Sequence, residues 1–228
     1  MNIDDIFKPE NKSIKQIFGD IDAFYQMPIY QRPYSWDKER VEQLWYDILE
    51  AFKNNSLDET IDQNYFLGSV VVVKKPKNFE VVDGQQRLTT LTILFCTIRD
   101  LNLELTQKNI VSNSIKDLVE SKERLKLTTH LNNQATFEET IINGINFNTS
   151  RKELRENRFL QTAFYFKNLI EKAQDKKMGL GTNWRHSLLT FCSFCNIKST
   201  SSISWCDDMD GTLFHPIRYC IHIPIIQH

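Results

Sequence analysis

The chain has no Gly-x-x-x-x-Gly-Lys-Ser/Thr loop, no Gly-x-Ser-x-Gly elbow and no His-Glu-x-x-His pair. These absences remove the simplest signatures of P-loop nucleotide binding, serine hydrolysis and zinc proteolysis. No apolar run approaches the roughly 18 residues that a membrane-spanning helix needs, and there is no internal repeat. Net charge is nearly absent as well: 28 Lys and Arg face 29 Asp and Glu, a formal balance of −1. No global field therefore draws the protein to nucleic acid, and contact with DNA would need a local basic patch. The first ten residues, Met1 to Glu10, are charged and mixed and do not resemble a signal peptide, so a cytoplasmic location is the default expectation. Five cysteines in 228 residues read as free thiols rather than a disulfide framework. What remains, 41% apolar and 25% charged, is an ordinary globular composition, sized for one domain or one domain plus a fragment.

Composition shifts near Gly179. Residues 180–228 hold only Arg185, Lys198 and Arg218 as basic residues and Asp207, Asp208 and Asp210 as acidic ones, yet carry four of the five cysteines and four of the five histidines. Little helical or strand periodicity is visible there. The preceding part is well patterned. Ser13 to Phe18 reads as a short helix and Ile21 to Ile29 as extended chain. A helix from Asp37 to Lys53 places Val41, Leu44, Trp45, Ile48 and Phe52 on one face, with Ser35 or Asp37 as its cap. Tyr65 to Val73 and Phe79 to Val82 read as a hairpin about the Lys74–Asn78 turn. Helices are expected over Gln86–Leu101, Lys116–Leu127, Ala135–Ile142 and Ser150–Gln174. Few strands followed by several helices imply an α+β fold with a small sheet.

The most informative stretch is Glu80-Val81-Val82-Asp83-Gly84-Gln85-Gln86-Arg87-Leu88-Thr89-Thr90-Leu91, an apolar strand, a polar turn and then a helix. Backbone N–H groups are free at a helix start, so this is a place to hold a phosphate. Asp83 can face a cleft or a metal, and Gly84 permits a sharp turn. Gln85 and Gln86 can position water or read a base edge, and Arg87 can clamp phosphate. The plain alternative is that Asp83 merely caps a helix. A second loop, Gln31-Arg32-Pro33-Tyr34 after Tyr30, offers another arginine, an amide and aromatics, a combination suited to phosphate and base recognition; the alternative is a surface loop whose tyrosines pack on the core. Gly68, inside a strand, marks either a close approach or a bulge. Cys192-Ser193-Phe194-Cys195, with Cys206, Cys220, His186, His215 and His222, has the first half of a zinc motif but no second pair, so zinc is not expected. Lys74, Lys75 and Lys77 form a basic turn, read as a solvated hairpin tip.

At these residues the sequence resembles the N-terminal domain of GmrSD-type, modification-dependent restriction endonucleases. The resemblance rests on Ile29-Tyr30-Gln31-Arg32-Pro33-Tyr34-Ser35-Trp36, the Val41–Ile48 helix with Asp47, Tyr65-Phe66-Leu67-Gly68-Ser69, Val82 through Leu91, Leu125-Lys126-Leu127 and the Phe159–Ile170 helix. It covers about residues 3–175, with the motifs in order. It implies a small ParB/sulfiredoxin-like mixed sheet over residues 1–110, a helical extension over 111–178 and an atypical tail over 179–228. It also implies binding and hydrolysis of a nucleoside triphosphate, GTP above all, with Mg²⁺. Asp83, Gln85, Gln86 and Arg87 would be the catalytic residues, and Gln31, Arg32, Tyr34 and Gly84 would bind the nucleotide. Partners would be modified or foreign DNA and a His-Asn-His nuclease domain or subunit. After Asp175 the family's expected Phe-Glu-x-x-Asn-x-x-Gly-like segment is missing, so the tail is read as a truncation or frameshift. A non-catalytic DNA-binding module and an inactive remnant stay open as alternatives.

Overall fold

A computed structural model of the protein describes residues 7–20, 23–57, 65–102, 115–119, 122–175 and 219–226. In chain order these form β1 (Phe7–Ser13), α1 (Ile14–Gly19), β2 (Tyr25–Gln26), α2 (Lys38–Leu57), β3 (Tyr65–Ser69), β4 (Val71–Lys74), β5 (Phe79–Asp83) and α3 (Gln85–Asn102). They continue with β6 (Lys116–Val119), β7 (Lys122–Leu125), β8 (Leu127–Thr128), α4 (Leu131–Phe137), a π turn (Glu138–Ile142), α5 (Arg151–Glu156), α6 (Arg158–Asp175) and β9 (Tyr219–Ile226). The fold is α+β. Seven strands make a mixed sheet in the order β1-β9-β4-β5-β2-β8, with β3 also paired to β9, and β6 and β7 form a separate pair.

The hairpin β4–β5 forms as expected, with Val73 opposite Glu80 and Lys74 opposite Phe79. The run Tyr65–Val73, expected as one strand, is divided at Val70 into β3 and β4, both of which pair in parallel with β9. Of the residues 179–228, only Tyr219–Ile226 is described, and it lies in the sheet as β9.

Helix α3 is the centre of the molecule. The face expected from its spacing, Leu88, Leu91, Phe95 and Ile98, is buried, and so are all the residues from 88 to 99. A helix enclosed on all sides must satisfy its own polar groups. Thr90, Thr92 and Thr97 do so by donating to the carbonyls of Gln86, Leu88 and Ile93, at 2.8, 2.9 and 2.8 Å. One apolar cluster joins it to its neighbours. Phe18 of α1 meets Phe95 edge-on at 5.1 Å, and Trp45 of α2 lies 6.4 Å from Phe166 of α6. Val41, Leu44, Trp45 and Ile48 of α2 are buried as the periodicity requires; the side chain of Phe52 lies outside those described. Asp37 is the α2 cap, its Oδ1 accepting from Arg40 N at 3.0 Å.

Further expected elements differ. Lys116–Leu127 is not a helix but the antiparallel pair β6–β7, with Val119 opposite Lys122, followed by β8. The local propensity of Lys, Asp, Leu, Glu and Arg favours helix, but strand pairing wins. β8 aligns in parallel with β2, Tyr25 opposite Leu127, and Tyr25 N donates to Lys126 O at 2.7 Å. The Arg124 guanidinium covers the Phe24 ring at 4.0 Å, and buried Lys126 lies 4.8 Å from the same ring. The expected helix Ser150–Gln174 is broken into α5 and α6 at Asn157, whose backbone is extended (φ −111, ψ 105). Asn157 Oδ1 accepts from Phe159 N and Leu160 N at 3.0 and 3.2 Å, so one residue ends a helix and starts the next.

Behind α3, the Arg99 guanidinium fixes the end of the π turn. Its Nη1 donates to Ile142 O at 2.8 Å and its Nη2 to Ile141 O at 3.0 Å, while Nε and Nη2 hold Asp100 at 2.8 and 2.7 Å. Asp100 Oδ2 in turn accepts from Ile145 N at 2.9 Å. No helix among the described residues is long and apolar enough to cross a membrane.

Candidate functional site

β5 ends at Asp83, and Gly84 turns the chain into α3. Gly84 has φ +87, which only glycine adopts readily. A Cβ there would also lie 2.7 Å from Val70 Cγ2 and 3.0 Å from both Ser69 O and Val70 Cα. The first helical bond runs from Leu88 N to Gly84 O at 3.1 Å, so Gly84 rather than Asp83 stands at the helix cap. The Asp83 carboxylate is exposed and makes no hydrogen bond or ion pair among the described residues. The helix-cap reading of this aspartate therefore fails on geometry, and its charge is left for something else.

The loop before α2 is bound to this turn through three glutamines. Gln31 Nε2 donates to Val82 O at 2.7 Å, at the end of β5. Gln85 Nε2 donates to Gln31 Oε1 at 3.0 Å. Gln85 is buried, and its Oε1 has no partner among the described residues. Gln86 is used differently: Oε1 accepts from Ser35 N at 2.8 Å, and Nε2 donates to Pro33 O at 3.1 Å. Its carboxamide is spent on holding the loop. Arg32, between these anchor points, is exposed. Two segments about fifty residues apart, singled out separately in the sequence, thus meet in one place.

Tyr34 does not share that surface. It is buried, stacks on Phe159 at 5.5 Å, and its hydroxyl lies 2.8 Å from Thr90 Oγ1 and 3.2 Å from Thr162 Oγ1. Burial pushes its phenol up to about 12, against the opposing pull of the bonds to Thr162 and Thr90. It ties the loop to α3 and α6. Tyr30, by contrast, is exposed. Thr90 and Thr162 were not singled out as anchors in the sequence; mid-helix threonines bonded back to their own helix give no sign that a tyrosine from another segment will reach them.

Arg87 points back across the strand break. Its Nη1 donates to Ser69 O at 2.8 Å. Partial burial lowers its pKa, with the nearby Asp83 charge opposing. Asp83 and Arg87 therefore sense one another without forming an ion pair, and both keep capacity for an added ligand. The site so assembled contains a free carboxylate, an amide oxygen without a partner, an anchored guanidinium and a helix N-terminus. That set can bind a phosphate chain and orient water beside it.

Other groups named from the sequence lie apart. At the hairpin tip Lys75 pairs with Glu80 at 3.5 Å, and Arg124 Nη2 donates to Lys77 O at 3.0 Å. Cys192, Cys195, Cys206, His186 and His215 lie outside the described residues; Cys220 and His222 fall in β9. Among the described residues no three His, Cys, Asp or Glu side chains cluster as a metal site.

A family model described as the GmrSD restriction endonuclease N-terminal domain matches residues 14–210. The match contains both loops and α3. It also continues past Asp175, where the sequence reading had the resemblance end, into the segment set apart by its composition. No curated protein matches the chain.

Proposed function

The chain belongs to the family of GmrSD restriction endonuclease N-terminal domains, and from that premise we propose that it binds and hydrolyses a nucleoside triphosphate as the sensor module of a restriction system. The observation that carries the reading is the convergence of Gln31 and Gln85 beside Asp83, whose carboxylate has no partner among the described residues. Phosphoryl transfer asks a protein mainly for positioning and charge stabilisation. Arg87 and the N-terminus of α3 hold the phosphates, and Arg32 adds positive charge from the loop. Gln85 positions the attacking water through its open Oε1, while Gln86 keeps the loop closed on α3. Mg²⁺ enters with phosphates and needs only one or two protein carboxylates; Asp83 is the carboxylate available for it and fits that demand. When bound, the ion neutralises charge on the phosphate oxygens. GTP is the preferred nucleotide in this reading, the cytoplasm the location, and modified or foreign DNA the signal. Cutting of DNA falls to a nuclease partner domain or subunit.

The test is nucleotide binding and turnover with labelled GTP and ATP, alongside labelled duplex DNA. Asp83→Ala should abolish hydrolysis while changing stability by no more than about 0.5 kcal/mol, as for other exposed side chains without partners. Arg87→Ala should lose both binding and hydrolysis. Turnover that survives both substitutions overturns the reading. Binding to duplex with no affinity for nucleotide replaces it with a non-catalytic DNA-binding module.

A further inference from the structure

The break between β3 and β4 has a specific shape. Gly68 has φ +109, and a Cβ built on it would lie 2.6 Å from Arg87 Cζ, 2.7 Å from Nη2 and 3.0 Å from Nη1. All three nearest atoms belong to a single guanidinium. One residue further on, the Ser69 carbonyl accepts from Arg87 Nη1 at 2.8 Å. The Arg87 Nη2 and Nε groups make no hydrogen bond among the described residues. The guanidinium therefore rests against the one residue of the strand break without a side chain, with a single hydrogen bond, at Nη1.

We propose that Gly68 is a positioning residue for Arg87. The missing side chain of Gly68 is the seat of the guanidinium, the Ser69 carbonyl fixes its rotation, and its remaining N–H groups are presented to a phosphate. The ligand in this statement rests on the nucleotide reading above; the seat itself does not. A guanidinium offers five N–H donors in a rigid fork, so one bond to the protein orients the plane and still leaves a pair for two phosphate oxygens. The competing account is that glycine is needed at position 68 only for its positive φ. That account makes the cost of a side chain at 68 independent of residue 87.

A double-mutant cycle separates the two. Gly68→Ala, Arg87→Ala and the double variant are compared for urea unfolding and for affinity to labelled GTP and ATP. With the seat real, Gly68→Ala lowers the unfolding midpoint more in the presence of Arg87 than in its absence. Nucleotide affinity falls by about tenfold or more in Gly68→Ala, the scale of a charge-assisted hydrogen bond. Equal midpoint shifts in the two backgrounds, or unchanged affinity in a folded Gly68→Ala, overturn the proposal. If Gly68→Ala fails to fold, recovery of folding in the double variant supports the seat, and an equally unfolded double overturns it. If the unsubstituted protein binds neither nucleotide, the nucleotide reading has failed, and the unfolding cycle still decides the seat.

Discussion

The side-chain amide of Gln86 accepts from the backbone N–H of Ser35 at 2.8 Å, across 51 residues of chain. Its other end donates to Pro33 O at 3.1 Å, so one buried carboxamide closes both polar groups of a loop turn against α3. Gln86→Leu removes both bonds and should lower unfolding stability by about 2 kcal/mol, at about 1 kcal/mol per hydrogen bond. Gln86→Glu keeps the acceptor for Ser35 but sets a buried carboxylate oxygen against Pro33 O, and should cost at least as much. Urea unfolding measures the cost. Hydrogen exchange at the Ser35 amide should accelerate in the leucine variant and stay slow in the glutamate one.

Gly84→Ala should destabilise the protein by more than about 1 kcal/mol, because alanine meets φ +87 and a backbone wall in the same place. The atoms nearest the added Cβ include Ser69 O and Val70 Cα, which cannot swing aside as a side chain can. Thermal unfolding checks this.

Tyr34 gives a pH signature. Its folded pKa stands at about 12 against the ordinary 10.0, raised by burial. The native state therefore keeps a proton that the unfolded chain gives up. Tyr34's contribution is fully present below pH 10 and is lost as pH rises towards 12, at up to about 1.4 kcal/mol per pH unit. Tyr25, also raised by burial, falls in the same direction. Tyr34→Phe should cost about 1 kcal/mol at neutral pH through its lost hydroxyl contacts, and it should flatten the alkaline slope without abolishing the share of Tyr25. Unfolding series between pH 8 and pH 11.5 would show both effects, a window chosen about the tyrosine range.

Arg99→Met should be among the costliest single changes in the molecule. Burial, the largest single influence, lowers the arginine's pKa, but the hydrogen bond and charge of Asp100 together with Cys96 outweigh it and leave it raised. Removing the guanidinium strands the Ile141 and Ile142 carbonyls and leaves Asp100 largely buried without its cation. The expected loss is about 3–5 kcal/mol. Arg99→Lys should recover little, since an ammonium cannot span two carbonyls and a bidentate carboxylate together. Urea unfolding of the two variants side by side decides it.

Much of this was legible along the chain. The spacing of Val41, Leu44, Trp45 and Ile48, and of Leu88, Leu91, Phe95 and Ile98, determined two helices and their buried faces, because a helix repeats every 3.6 residues whatever surrounds it. The strand–turn–helix at Asp83–Arg87 was equally local: apolar β-branched residues, then a glycine, then a helical stripe. What the sequence could not determine depended on partners distant in the chain. Lys116–Leu127 has helix-forming residues but pairs as strands: β6 and β7 pair with each other, Arg124 covers Phe24, and Leu127 aligns with Tyr25 of β2. The break at Asn157 follows from a side chain that caps the next helix while donating to Thr140 Oγ1, 17 residues back. Tyr34 carries the same loop signature as Tyr30, yet only the tertiary structure sends one ring into the core and leaves the other in solvent. The turn at Asp83–Arg87 was set by its own residues. Its union with Gln31, and the bare strand break that receives Arg87, came from packing, because contacts between segments are paid for only once the chain has closed upon itself.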